Sequence, residues 1–324
     1  MSPGYVRKKA AFKMATFPGG RYIAPMKKPG PSASRATLLI VVSALSFGSI
    51  SVLTVLLTST GVPLVTAMAW RYVLGALLLF GLVGVDQLRA MSNKRIIRLL
   101  VIGGIGQALI TYLSLYALEF IPVGPLAFLF YTYPAWVALI AAVRKTERLT
   151  PIRVVALCLA LVGVTVMVGS SATERLNPIG VVLALASALL YSGYLPALEH
   201  FQRDVPALVS TFLLIVGAAV SFVLGALITG KLYLPAGVTV WSNIFLLAFV
   251  STVIAFSTLI KGLSVLGPVR TAIVATVEPF FTALLGFAVL GNQLTATTLA
   301  GGILIATAVL LIQWSATRLE PTMA

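Results

Sequence analysis

Ten apolar runs follow one another along this chain, at 37–57, 64–85, 97–118, 122–143, 152–170, 178–199, 207–229, 241–262, 268–289 and 297–315. A helix of about 20 residues crosses a hydrocarbon core roughly 30 Å thick, so each run is long enough to span a bilayer. The runs are continuous rather than alternating. Lipid offers no partners to backbone N–H and C=O groups, so helices are predicted and strands are not. Composition agrees: 10% of the 324 residues are charged, against about 25% in a soluble domain, and mean hydropathy is +1.05. So few charges cannot coat a water-soluble fold of this length. The expected fold is an all-α integral membrane protein with ten transmembrane helices.

The runs are not independent of one another. Leu118 to Thr150 recurs at Leu263 to Thr295, at an offset of 145. Tyr133-Pro134 falls on Glu278-Pro279, and Glu147-Arg148-Leu149-Thr150 falls on Asn292-Gln293-Leu294-Thr295, without a gap. An earlier echo pairs Ala44–Gly48 with Ala188–Ser192 at an offset of 144. Self-similarity at a fixed offset is the signature of duplicated architecture. The chain is read as 1–35, a basic disordered cytoplasmic tail; 36–170, a first five-helix repeat; 171–317, a second; and 318–324, a cytoplasmic C-terminal tail.

Loop charge orients the repeats. With the N-terminus inside, 20 of the 23 Lys and Arg residues lie on cytoplasmic segments; Arg175 and Lys231 lie outside, and Arg71 sits within a helix. Cytoplasmic loops gather Lys and Arg, so both termini are placed in the cytoplasm. Five helices is an odd number, so the second repeat is expected to be inverted relative to the first. Inverted repeats are a building plan of secondary transporters, with the substrate held near the midplane where the repeats meet. The net charge of +15 would suggest nucleic acid in a soluble protein, but these cations sit in short loops and one tail, so no nucleic-acid partner is expected. Residues 1–35 lack the apolar core and cleavage site of a secretory signal, and Met14 and Met26 offer alternative translation starts.

A few polar side chains interrupt the apolar runs. Glu278 lies mid-helix, followed by Pro279. A carboxylate at that depth costs a few kcal/mol and faces a cavity or a partner. Proline removes a backbone hydrogen bond and frees a carbonyl, so Pro134 and Pro279 are candidate helix breaks. Glu278 is read as a site for a substrate ammonium or a coupling proton, or else as a structural carboxylate paired within the bundle. Arg71 stands open between pairing with a carboxylate or anionic substrate group and snorkelling to the headgroups. Tyr133, at the repeat position of Glu278, and Gln107, Trp136, Tyr191 and Tyr194 complete the candidate substrate-binding set. Tyr131 is equally deep. Gly103, Gly104 and Gly106, and Gly301 with Gly302, are expected to allow close helix approach. One cysteine, Cys158, and one histidine, His200, provide for neither a disulfide nor a metal cluster, and no cofactor is expected.

Several short motifs occur in order along the chain. They are Phe47-Gly48-Ser49, Ala69-Trp70-Arg71-Tyr72, Gly124-Pro125 with Tyr133-Pro134, Glu147-Arg148-Leu149-Thr150, and Glu278-Pro279 followed by Leu290–Thr295. Over residues 36–316 this order resembles the drug/metabolite transporter superfamily, in its ten-helix EamA branch. The resemblance implies a multi-pass permease of the inner (plasma) membrane, not an enzyme. Such permeases often export amino acids or related small metabolites by alternating access. Relatives of this type export aromatic amino acids, and no residue here singles out that substrate. The family usually has Gly-Glu before the second Leu-Thr, where this chain has Gly291-Asn292. The role of that carboxylate therefore does not carry over.

Rival readings of the same fold are an efflux pump for lipophilic cations, an exchanger of phosphorylated metabolites and a non-transporting membrane subunit. The exchanger would need several cavity Lys or Arg, and Arg71 and Lys261 are the candidates. No Gly-x-x-x-x-Gly-Lys-[Ser/Thr] motif is present, so an ion or substrate gradient is the expected driver. The sequence leaves the oligomeric state open.

Overall fold

The computed structural model describes residues 32–319 apart from 90, 122, 147–148, 169–176 and 292. The basic tail up to 31, the Glu147-Arg148 hinge, Arg175, Asn292 and residues 320–324 lie outside the described residues. The described residues form helices and no strand. Five helices are long and apolar enough to cross a membrane: Ala33–Thr58, Asn93–Tyr116, Pro178–Gln202, Ala207–Ile228 and Val238–Ala275. Shorter apolar helices fill the rest of the bundle.

In chain order, the first half contains α1 (Ala33–Thr58), α2 (Leu64–Phe80), the short α3 (Val85–Arg89), α4 (Asn93–Val101), α5 (Ala108–Tyr116), α6 (Val123–Phe130), α7 (Tyr133–Val143) and α8 (Pro151–Val168). The second half contains α9 (Pro178–Gln202), α10 (Ala207–Ile228), α11 (Val238–Ala248), α12 (Ala255–Ala275), α13 (Val277–Leu290) and α14 (Ala296–Leu319). Local chemistry sets several starts. The Ser32 side chain accepts from the Arg35 N–H, and Asn177 accepts from the Ile179 N–H just before Pro178 opens α9. An N-cap oxygen satisfies an orphan N–H, and proline at the first helical position forgoes none that was needed.

The expected spans at 122–143 and 268–289 are each interrupted. α6 ends at Phe130 and α7 begins at Tyr133; α12 ends at Ala275 and α13 begins at Val277. Each ending residue lies four before a proline, Pro134 or Pro279, whose missing N–H would have bonded its carbonyl. A threonine caps each break: Thr132 Oγ1 donates to the Leu129 carbonyl at 2.7 Å, and Thr276 Oγ1 to the Ile273 carbonyl at 2.6 Å. The 241–262 and 268–289 runs are joined by a kink rather than a loop. Gly267 takes φ 75°, a left-handed value suited to glycine, and Pro268 starts the next turn.

A second irregularity also occurs once per half. α4 passes into α5 through a π-turn at Ile102–Gln107, and α11 passes into α12 through a π-turn at Phe249–Ile254. A π-turn inserts one residue into the i→i−4 ladder and is frequent at functional sites.

Equivalent helices of the two halves meet: α2 packs along α10, and α8 along α14. Another set of contacts is reciprocal. α1 packs on α12 and α13, and α9 packs on α5 and α7. Each half therefore seats its first helix against the interrupted helices of the other. Because lipid tails are as apolar as leucine, such contacts depend on close van der Waals packing, which small residues permit. A Cβ on Gly103 would collide with the Leu214 carbonyl of α10, and one on Gly217 would collide with the Leu100 carbonyl. The first π-turn and α10 thus touch backbone to backbone.

That contact leads to a stability prediction. Gly217→Ala should destabilise the protein by about 3 kcal/mol, the upper range for overpacking against atoms that cannot rotate away. Gly193→Ala, whose Cβ meets nothing within 4 Å, should not. Thermal unfolding of both variants in one detergent checks the difference.

Candidate functional site

The two helix breaks face each other. The Tyr133 hydroxyl of α7 reaches the Ala272 carbonyl of α12 at a long 3.5 Å, and Tyr131 lies near Glu278 on the wall of the same cavity. Glu278 sits in the first turn of α13, where unsatisfied N–H groups favour a negative charge. Its backbone is pinned from α1. Thr282 Oγ1 donates to the Gly48 carbonyl at 3.0 Å and to the Glu278 carbonyl at 3.1 Å. A Cβ on Gly48 would lie 3.1 Å from that same Glu278 oxygen, so glycine lets α1 approach α13 here.

Around this crossing lies a cavity of about 350 Å³. α1, α2, α5, α6, α7, α9, α12, α13 and α14 all contribute to its wall. Aromatic rings form one side. Tyr133 stands edge-on to Tyr191 at 4.7 Å between centroids, and Phe130 lies 5.5 Å from Tyr133 and 5.6 Å from both Tyr131 and Tyr191. Rings at such spacing pack favourably and leave hydroxyls to meet polar guests. Gln107, the last residue of the first π-turn, donates to Thr111 Oγ1 at 3.0 Å and lines the cavity with Thr111 and Ser114.

Two charged residues occur among the described lining residues, Arg71 and Glu278, and no ion pair joins them. Arg71 is 1% exposed and does not snorkel outward. Its Nε donates to Thr252 Oγ1 at 2.7 Å and its Nη2 to the Ser251 carbonyl at 2.8 Å, both in the second π-turn. Its guanidinium also lies 5.0 Å from the centre of the Tyr72 ring. A buried guanidinium bonded to neutral oxygens keeps its charge uncancelled and available to a guest.

Of the sequence candidates, Glu278, Arg71, Tyr133, Gln107 and Tyr191 come together on this cavity, as does Pro279. Trp136 does not: it is 40% exposed on α7 and is not among the residues that line the cavity. Tyr194 is buried behind Tyr191, their rings stacked at 5.9 Å, and its hydroxyl has no hydrogen-bond partner among the described residues. Pro134 is buried in the first turn of α7, outside the lining. Lys261 and His200 are exposed on helix surfaces, so the cavity has one cation among its described residues. Tyr72, Thr111, Ser114 and Thr282 were not singled out from sequence. Helical spacing carried the signal for three of them: Thr111 and Ser114 follow Gln107 by four and seven residues, and Thr282 follows Glu278 by four.

The profile of the EamA-like transporter family matches residues 34–169 and again residues 178–314. Among solved structures, one titled "Crystal structure of protein" superposes with a TM-score of 0.73. It shares 23% sequence identity, and the match covers 89% of this chain and 99% of that one. At that identity the likeness speaks for the fold. No curated protein matches the sequence.

Water access to the cavity can be read by thiol labelling. In a Cys158→Ala background, Ser114→Cys should react with a charged, water-soluble methanethiosulfonate. Trp136→Cys, on the outward face, should react with lipid-soluble reagents instead. Equal labelling of the two positions by the charged reagent would contradict the placement of the cavity.

Proposed function

We propose, since the chain belongs to the EamA-like transporter family, that it is a ten-span secondary permease whose two halves are inverted. Its family is a transporter family and not an enzyme family, and its members are multi-pass membrane proteins. The permease exports a small metabolite, an amino acid or a related compound, across the inner membrane by alternating access, with both termini in the cytoplasm. The observation that carries this reading is the cavity beside the two interrupted helices, lined by Glu278 on one half and Arg71 on the other. Interrupted helices are tolerated in lipid where they line a cavity, and transporters hold substrate in such cavities.

Glu278, Arg71, Tyr133, Gln107 and Tyr191 bind the substrate in this scheme. Glu278 takes an ammonium group and, between substrates, the coupling proton. Depth supports this role, because an ionisable group within a membrane span is costly and marks a substrate, ion or proton path by default. A second reading, efflux of lipophilic cations, draws support from the aromatic cluster beside Glu278, since ring faces attract diffuse cations.

The test is flux in proteoliposomes. Metabolites are first screened for thermal stabilisation of the purified protein, since a ligand of the folded state raises apparent stability. An amino acid so found should move faster under an opposing pH gradient, and Glu278→Gln should abolish the response to pH. Transport indifferent to the gradient would remove the proton from the scheme. Stabilisation by tetraalkylammonium compounds alone would favour the cation reading, and binding without flux would identify a non-transporting subunit.

A further inference from the structure

Thr252 is not part of the cavity wall, yet it fixes the orientation of a residue that is. The Nε and Nη2 hydrogens form one edge of the Arg71 guanidinium. They end on Thr252 Oγ1 at 2.7 Å and the Ser251 carbonyl at 2.8 Å. Two oxygens side by side on one edge reproduce the pair that a carboxylate presents to arginine. These two are neutral, however, so they hold the group without cancelling its charge.

The holder is itself held. The Thr252 hydroxyl donates to the Leu247 carbonyl five residues back, at 2.9 Å, which leaves its oxygen lone pairs facing Arg71. The Ser251 hydroxyl meets Ser49 of α1 at 2.7 Å, and Ser43 Oγ of α1 donates to the Ala255 carbonyl at 2.8 Å. The other edge of Arg71 differs. A guanidinium carries five N–H donors. The partner on the Nη1 side is the thioether of Met68 at 3.6 Å, a weak acceptor.

We propose that Thr252 and the Ser251 carbonyl are positioning groups that present the weakly bonded edge of Arg71 to a carboxylate on the transported molecule. The proposal rests on the reading of Arg71 as a substrate ligand. The π-turn suits the task because it sets a backbone carbonyl and the next residue's hydroxyl against one side of a neighbouring helix. With one edge of the fork already bonded, less freedom is lost when the other edge engages a guest.

The probes are phenylalanine, chosen because the wall is aromatic, and phenethylamine, which lacks the carboxylate. Both are titrated calorimetrically against the full chain in detergent. The wild type should bind phenylalanine at least tenfold more tightly, the loss expected when one charge-assisted contact is missing. Thr252→Val keeps the shape of the side chain and removes the hydroxyl. It should lower that preference about tenfold by weakening phenylalanine alone, and Thr252→Ser should restore it. Arg71→Gln should erase the preference. A Thr252→Val protein that keeps the wild-type preference overturns the positioning role and leaves Arg71 as a ligand. A variant that loses both probes equally also overturns it, since Thr252 would then serve the fold rather than the carboxylate. Equal response of the wild type to the two probes, no binding included, overturns Arg71 as an anion ligand and this proposal with it.

Discussion

Backbone amides have nowhere to turn in hydrocarbon. Every N–H and C=O within the bilayer must find a partner inside the protein, so a helix can stop partway only where something other than lipid faces the stop. This chain stops two helices, at Tyr131–Thr132 and at Thr276, and sets the stops against each other. The threonine caps at Leu129 and Ile273 satisfy carbonyls at each break. The cavity is the space that two facing stops leave between the halves. The reciprocal seating of α1 and α9 frames this volume of about 350 Å³.

The two charges in that space are handled differently. Glu278 stands at the start of a half-helix with Tyr131 near it and its backbone pinned to α1 through Thr282. Arg71 comes from an unbroken helix, and the opposite half supplies the oxygens it donates to. Each charge thus depends on a residue of the other half for its setting. A rearrangement between the halves alters both settings together.

Much of this architecture is written at the level of residues. The apolar runs marked the helices, and the offset of 145 tied Tyr133-Pro134 to Glu278-Pro279. The inward turn of Arg71 was not legible, because the sequence near Trp70 and Tyr72 reads equally well as an interfacial anchor. Its partners, Ser251 and Thr252, look like ordinary small polar residues in an apolar run. Their role depends on a π-turn, and no local pattern distinguishes a five-residue ladder from a four-residue one. Trp136 misled for a related reason. An aromatic three residues from a helix break is close to the cavity along the chain, but helical rotation turns it to the outer face. Tyr194 lies three residues beyond Tyr191 and is hidden behind it.

The backbone contact between Gly103 and α10 has a further consequence. When a larger residue enters a tight interface, the usual remedy in later generations is a smaller residue opposite. At this place the opposing groups are the Leu214 and Leu100 carbonyls together with Gly217, and nothing smaller exists. Repair would require the helices themselves to separate. The first π-turn and α10 must therefore change together or not at all, and so must the position of Gln107, which that turn carries into the cavity.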